Sequence, residues 1–136
     1  MEFDTKIVLA IADDLLTWKK LNVAAFLVSG IAAAHPELIG APYSDADGVA
    51  YHALFRQPVL VLAGSRSALL RAHQRAHERG LQLAIYSDGM FATGDDVSNR
   101  AVVAARPTAD LDLVGLATWG DRKAVDKSFD GLRLHP

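Results

Sequence analysis

The chain contains no cysteine, which excludes disulfide bonds, thiolate metal sites and a cysteine nucleophile. It also lacks a strong excess of either charge: the formal net charge is −2, which does not suggest a protein that binds bulk polyanions. No apolar run is long enough to cross a bilayer. The first residues lack the basic region, apolar core and cleavage site of a secretory signal, so we expect a cytoplasmic protein.

What the chain does contain is the composition of a packed globular domain. Its 136 residues are 51% hydrophobic and 22% charged. A chain of this length and composition can bury a stable core without disulfide bonds or a structural metal. We find no internal repeat or low-complexity segment. The sequence therefore predicts a single domain over residues 1–136.

The most informative segment is the first thirty residues. Residues 6–12 are a continuous β-branched and aliphatic run, typical of a strand buried on both faces. Asp13 and Asp14 follow, and Thr17 is a candidate cap for a largely apolar helix over residues 18–34. Asn22 and Ser29 are seven residues apart and share one face of that helix. They either form a polar track beside the sheet or bond to backbone and solvent.

The rest of the chain alternates between strands and helices. Residues 35–48 are a turn-rich connector, and residues 49–56 alternate loosely and belong to a hairpin or a separate strand. Further along, the pattern predicts strands at 58–63, 81–86 and 111–119, an amphipathic helix at 66–79, a short helix from Thr93 or Asp95 to Ala105, and a last helix at 121–130.

This order predicts an α/β fold: one three-layer domain with a mixed sheet of four strands or slightly more and helices on both faces. Ligands of such sheets bind beyond the carboxyl ends of the strands. Two predicted ends carry polar residues, at 12–14 and at 87–89. If those strands are parallel neighbours, a crevice is lined by Asp14, Lys19, Lys20, Asn22 and Asp88.

The same segments resemble two related families. Residues 6–8 and 14–15, the lysine-containing turn that follows, and residues 66–81, 85–89 and 114–134 resemble the type II peptidyl-tRNA hydrolases of archaea and eukaryotes. Residues 21–26, 90–94, 99–100 and 124–127 resemble more closely a bacterial group, domain of unknown function 2000. The resemblance covers nearly the whole chain. It implies a fold like that of the type II hydrolases, a tRNA-like substrate and a homodimer.

The chain departs from the hydrolases at their active site. The family's glutamine and histidine on the first helix correspond here to Phe26 and Ser29, so the histidine is missing. Asp88 matches the family's aspartate, whereas the threonine of that motif is displaced by one residue, to Thr93. Residues 95–106 resemble an insertion that covers or reshapes the crevice. Fold resemblance alone therefore does not establish the chemistry.

Ester hydrolysis of the peptidyl-tRNA type needs an oriented water, stabilisation of an oxyanion and cationic contacts to phosphate. The residues that we expect to supply catalysis are Lys20, Asp88 and Thr93. Those that we expect to contact a ligand are Asp14, Lys19, Asn22, Ser29, Met90, Asn99 and Arg100. Simpler roles remain open for several of them: a turn aspartate, solvated lysines, a core methionine, or an ion pair of Arg100 with Asp95 or Asp96.

Two classes of function remain open. The first is a hydrolase or a site for a small anionic ligand or nucleotide anion at this crevice. The second is a non-catalytic binding or self-associating interaction module, in which the crevice region is flat and filled by Phe26 or Met90. We expect no cofactor and no metal. His73 and His77 are four residues apart on a helix, but no metalloprotease motif surrounds them.

Overall fold

A five-stranded mixed sheet with helices packed on it forms the centre of the molecule, which a computed structural model describes over residues 2–136. A separate two-stranded hairpin stands beside it. The strands are β1 (Thr5–Ala12), β2 (Tyr43–Ser44), β3 (Ala50–Tyr51), β4 (Val59–Gly64), β5 (Leu83–Ser87), β6 (Leu113–Asp121) and β7 (Arg133–Leu134). The helices are α1 (Thr17–Ala34), α2 (Arg66–Glu78), α3 (Asp96–Ala104) and α4 (Arg122–Ser128), with three short 3-10 turns at Pro36–Leu38, Asp88–Ala92 and Thr108–Asp110.

The strand order is β5-β6-β1-β4-β7. β1 runs parallel to β4 and antiparallel to β6, and β6 runs antiparallel to β5. The α/β class and the mixed sheet are therefore confirmed. The expected adjacency of β1 and β5 is wrong, because β6 lies between them and pairs with both. The two strands nevertheless run in the same direction, so the residues that follow them reach the same edge of the sheet.

The helices form a layer on each face of the sheet. Successive residues of β6 face opposite sides. Gly115 faces α1, where its nearest side chains are Val23 and Leu27, and Gly120 faces the other layer, where it meets Leu81 and Val125 of α4. β1 lies between the layers, and its residues 7–12 are all buried, as the continuous apolar run predicted. No helix within residues 2–136 has the length and apolar character needed to cross a membrane.

The sequence interpretation fails at two short elements. The loosely alternating segment 49–56 contributes only the two residues of β3, which pair with β2 inside the predicted connector. The carboxylate of Asp45 accepts hydrogen bonds from the backbone N–H groups of Asp47 and Val49, and this local turn decides the pairing. β7 was not predicted, because two residues carry no periodicity.

The helix starts also differ from expectation in detail. Thr17 is the first residue of α1 and not its cap, because the backbone N–H of Lys20 bonds to the carbonyl of Leu16. Of the two candidate caps for α3, Asp95 is the one used: its carboxylate accepts the backbone N–H of Ser98 at 2.7 Å. A capping carboxylate is favourable at this position because it satisfies a free N–H and opposes the helix dipole.

Candidate functional site

One charged cluster occupies the carboxyl edge of the sheet, around Arg66 at the start of α2. The Nε atom of Arg66 lies 3.1 Å from Asp14 Oδ2. Its Nη1 lies 3.0 Å from Asp112 Oδ2 and 3.3 Å from Asp88 Oδ1. We call these four residues the Arg66 cluster. It joins the segments that follow β1, β4 and β5 to the one that precedes β6.

The Arg66 cluster includes two residues that the sequence interpretation missed, Arg66 and Asp112. Partial burial lowers the pKa of the Arg66 guanidinium, but hydrogen bonds and charge from Asp112 and Asp14 outweigh it and raise that pKa overall. Arg66 could have been found from the topology, because β1 and β4 are parallel neighbours and end at the same level, with Ala12 opposite Gly64. The pairing with Asp112, 46 residues away, had no local signal.

A groove lies between α1, the turn 88–92 and α3. Its volume is about 750 Å³. Four aromatic rings and a methionine are among the residues that line it: Trp18, Phe26, Tyr86, Met90 and Phe91. Polar residues of α1, of α3 and of the segment before α3 also line it: Asn22, Thr93, Asp95, Asp96, Asn99 and Arg100. We call this concavity the aromatic groove. Its size falls in the range of small-molecule sites.

The hydroxyl of Tyr86 is held in position by a hydrogen bond from a neighbouring helix. Asn22 Nδ2 donates a hydrogen bond to Tyr86 Oη at 3.3 Å. Burial raises the pKa of the Tyr86 phenol above its usual range, and the hydrogen bond from Asn22 offsets part of this rise. The phenol is therefore protonated at neutral pH. Its oxygen accepts from Asn22, and among the described residues its hydrogen has no acceptor. Tyr86 lines the groove although only 3% of its surface is exposed.

The turn 88–92 is held by its own side chains. The backbone N–H of Ser87 donates to Met90 Sδ at 3.3 Å. Thr93 Oγ1 lies 2.9 Å from the carbonyl oxygen of Met90 and also contacts Asn99 Oδ1. Among the described residues, no titratable side chain is hydrogen-bonded to Thr93 Oγ1. This geometry fixes the groove wall and provides no general base for a threonine nucleophile.

The charges near the groove are balanced. Arg100 pairs with Asp96, one of the two partners considered from sequence, and Asp95 caps α3. Lys19, beside the groove, places its Nζ 4.6 Å from the centre of the Phe91 ring in a cation–π contact. Two carboxylates and two cations thus lie at or beside the groove, so their formal charges cancel.

The predicted crevice is therefore divided. Asp14 and Asp88 belong to the Arg66 cluster, whereas the predicted residues at the aromatic groove are Asn22, Met90, Thr93, Asn99 and Arg100, with Lys19 beside it. Lys20 lies apart from both, with its Nζ 3.1 Å from His135 Nε2. The exposed Ser29 donates to the carbonyl of Phe26 in its own helix. Asp88 links the two regions, because it begins the turn that carries Met90 and Phe91.

The His73 and His77 rings on α2 stack at 6.4 Å between centres. Residues 2–136 include no group of three or more metal-ligating side chains placed to hold a metal ion. Burial, followed by the charge of His77, lowers the pKa of His73 below the 6.5 of an unperturbed histidine. The unfolded chain therefore takes up a proton at His73 at a higher pH than the folded chain does. Protonation consequently favours unfolding.

We expect the free energy of unfolding to fall as the pH drops from about 7 through 6.5 and toward the lowered pKa of folded His73. His73→Gln should remove part of that fall, whereas His77→Gln should reduce it only by relieving the charge repulsion. Urea denaturation at several pH values, with an NMR titration of the His73 ring, measures both. An unchanged pH dependence in His73→Gln would contradict this assignment.

The comparisons with known proteins agree with this architecture. A search of functionally curated proteins found no match. The solved structure of a protein of unknown function, Atu0240 from Agrobacterium tumefaciens strain C58, superposes with a TM-score of 0.97 at 46% sequence identity, covering 99% of this chain and 100% of that chain. A family model described as "protein of unknown function (DUF2000)" matches residues 5–136, which confirms the resemblance to that group. The chain belongs to the DUF2000 family.

Proposed function

We propose that the aromatic groove binds a small, uncharged molecule that carries a flat ring and a carbonyl or similar acceptor. The observation that carries this proposal is the Tyr86 hydroxyl, oriented by Asn22 within an aromatic-walled cavity of about 750 Å³. Small-molecule sites commonly combine an apolar wall with a few fixed polar groups in this way.

The arrangement of the rings favours a flat ligand. Phe26 meets Tyr86 edge to face, with centres 5.5 Å apart and planes at 65°. Trp18 meets Phe91 at 6.1 Å and 71°. Because neighbouring rings pack through edges, ring faces and edges remain at the cavity wall, where a further ring gains both dispersion energy and quadrupole attraction.

The balanced charges favour a neutral ligand over the anionic one suggested by the sequence. Lys19 and Arg100 are offset by Asp95 and Asp96, and Arg100 is already paired. An anion would gain little here because it would have to compete with Asp96 for the guanidinium. Benzoate should therefore bind more weakly than a neutral aryl ketone of the same size.

The resemblance to type II peptidyl-tRNA hydrolases leaves hydrolysis as the alternative. The three residues expected to catalyse it do not converge: Lys20 contacts His135, Asp88 pairs with Arg66, and Thr93 lies against Asn99. This separation supports binding in preference to ester hydrolysis. Peptide release from peptidyl-tRNA that is lost in both Lys20→Ala and Asp88→Ala would favour the hydrolase instead.

Acetophenone is a suitable probe, since it presents one ring and one carbonyl. We expect Tyr86→Phe to weaken its binding about tenfold, which is the loss of about one hydrogen bond. The chain has two methionines, so methyl-labelled methionine gives a simple NMR spectrum in which the Met90 signal reports on the groove. Dissociation constants follow from titrating that signal.

Tyr51→Phe is the matched control, because it removes a phenol that bonds to Asp45 in the β2–β3 hairpin. It should leave acetophenone binding unchanged. Equal affinity in the native chain and Tyr86→Phe would show that the phenol does not recognise the acceptor. If no neutral aryl probe shifts the Met90 signal, the proposed binding function is wrong.

A further inference from the structure

β5 is an edge strand of the five-stranded sheet, in which it pairs with β6 alone. In an antiparallel pair the N–H and C=O groups of one residue point to the same side, and those of the next residue point to the other. The backbone N–H of Asp88, just after β5, donates to the carbonyl of Asp112, just before β6, at 2.9 Å. The even-numbered positions of β5 therefore bond to β6, whereas the backbone groups of Leu83, Ile85 and Ser87 point away from it.

Other hydrogen bonds agree with this alternation. The backbone N–H of Ser87 donates to the sulfur of Met90 and not to β6. Within residues 2–136, no turn, cap or further strand takes up the N–H and C=O groups of Leu83 and Ile85. The outer side of β5 thus presents two free donors and two free acceptors at the spacing of an extended chain.

The aromatic groove runs along this free edge. Ile85 and Tyr86 both line it, although the side chains of consecutive strand residues point to opposite faces of a sheet. A cavity that touches both residues passes the edge of the strand. Val103 and Ala104 of α3 line the same groove, so a helix faces the strand edge across it. An extended peptide that enters such a space can add a strand to the sheet.

The chemistry of the edge limits the kind of segment that it can pair with. No Asp, Glu, Lys, Arg or Pro occurs between Gly80 and Asp88, although sheet edges are commonly protected from pairing by such residues. The charges at the groove cancel, which matches an uncharged segment. A ring on the added strand, on the same face as Tyr86, would meet the Tyr86 and Phe26 rings, which already pack edge to face.

We propose that the edge of β5 binds an extended, uncharged peptide segment that carries one aromatic residue. The peptide backbone bonds to the free N–H and C=O groups of Leu83 and Ile85, and the aromatic ring enters the groove beside Tyr86. Main-chain hydrogen bonds supply affinity in this mode, and the ring supplies specificity. The inference rests on the proposed function, because it names a peptide as the source of the ring and the carbonyl.

The blocked pentapeptide acetyl-Thr-Val-Phe-Val-Thr-amide tests the proposal, with acetophenone as the reference ligand. Labelling isoleucine with nitrogen-15 gives five backbone signals, one of them from Ile85. At saturation the peptide should slow amide hydrogen exchange of Ile85 about tenfold or more, because the free N–H becomes bonded. Acetophenone should shift the Met90 signal and leave this exchange unchanged. Ile11, which pairs with strands on both sides, is the internal control and should respond to neither ligand.

Peptides methylated at one backbone nitrogen test the strand geometry. Successive amides of an added strand point alternately toward β5 and away from it. Methylation of the phenylalanine amide and methylation of either valine amide should therefore differ. One should weaken binding about tenfold, through the loss of a hydrogen bond, and the other should leave binding unchanged. Equal effects at all three amides would overturn the proposal.

The two ligands separate this inference from the proposed function. If acetophenone binds and the peptide leaves exchange at Ile85 unchanged, the inference is wrong and the small-molecule site stands. If the peptide protects Ile85 and no neutral aryl probe binds, the edge site is supported and the small-molecule ligand is wrong. Protection of Ile85 that needs no peptide and rises with protein concentration would show that a second copy occupies the edge, and would overturn the proposal.

Discussion

Replacing Gly115 with alanine is expected to lower the free energy of unfolding by about 3 kcal/mol. A Cβ at this position would lie 2.3 Å from Val23 Cγ1 and 3.0 Å from Leu27 Cδ1. Both side chains are fully buried on α1, and valine has little rotamer freedom in a helix. Relief therefore requires α1 to move away from β6, which opens the packed core between them.

Urea denaturation at one fixed protein concentration measures this effect. The cost of Gly115→Ala should shrink in a Val23→Ala background, because the offending methyl group is then absent, and the difference is the coupling energy of the pair. Gly94→Ala is the control, since a Cβ there meets nothing within 4 Å. It should change the stability by less than about 0.5 kcal/mol. Equal costs of Gly115→Ala in both backgrounds would contradict this explanation.

Gly115 also connects the core to the aromatic groove. It pairs with Ile11 of β1 on one side and with Tyr86 of β5 on the other. The close approach that it permits between α1 and the sheet is the same approach that brings Asn22 to Tyr86. The geometry of the donor in the groove therefore depends on a glycine that touches no ligand.

Replacing Arg66 with methionine is expected to lower the free energy of unfolding by about 2 kcal/mol. The substitution keeps the apolar stem but leaves Asp14, Asp88 and Asp112 close together without their shared cation. The Arg66 side chain is 33% exposed, so water screens part of the resulting repulsion and the effect stays below that of a fully buried pair. The free energy of unfolding of Arg66→Lys should lie between those of the native chain and Arg66→Met, because lysine retains the charge and loses the guanidinium fork.

Salt separates this mechanism from a simple loss of packing. Repulsion among the three carboxylates weakens as the screening length falls, so the cost of Arg66→Met should decrease when about 0.5 M salt is added. Adding Asp112→Asn to Arg66→Met should restore part of the lost stability. Arg106→Met, which removes an exposed arginine bonded to one backbone carbonyl, is the control. A salt-independent cost would attribute the effect to lost packing of the guanidinium and not to repulsion among the carboxylates.

Several elements were predictable because their signal is local. The run 6–12, whose residues 7–12 are buried, predicted β1. Apolar residues at three- and four-residue spacings after Gly64 predicted α2, which begins at the predicted residue. The sequence also indicated family membership and singled out Asn22, Met90, Thr93, Asn99 and Arg100, which the fold brings to one groove. Their role in binding a ligand stays a prediction.

Other features depended on contacts between distant segments. Tyr86 ends a strand that looked like ordinary core, and only the packing of α1 against β5 places its hydroxyl beside Asn22, 64 residues away. Lys20 fits the hydrolase pattern in sequence, yet the chain end returns along β4 and places His135 beside it. Neither outcome is visible in the residues that flank these side chains.

The sequence by itself determined the α/β class, the long helices and strands, the absence of disulfide chemistry and the family. Those properties follow from composition and from periodicities that neighbouring residues impose on each other. Only the tertiary structure decided that β6 separates β1 from β5, that Arg66 collects three carboxylates, and that the groove is aromatic and electrically balanced. These features depend on strand order and side-chain packing, which are determined by contacts between segments that are distant in sequence.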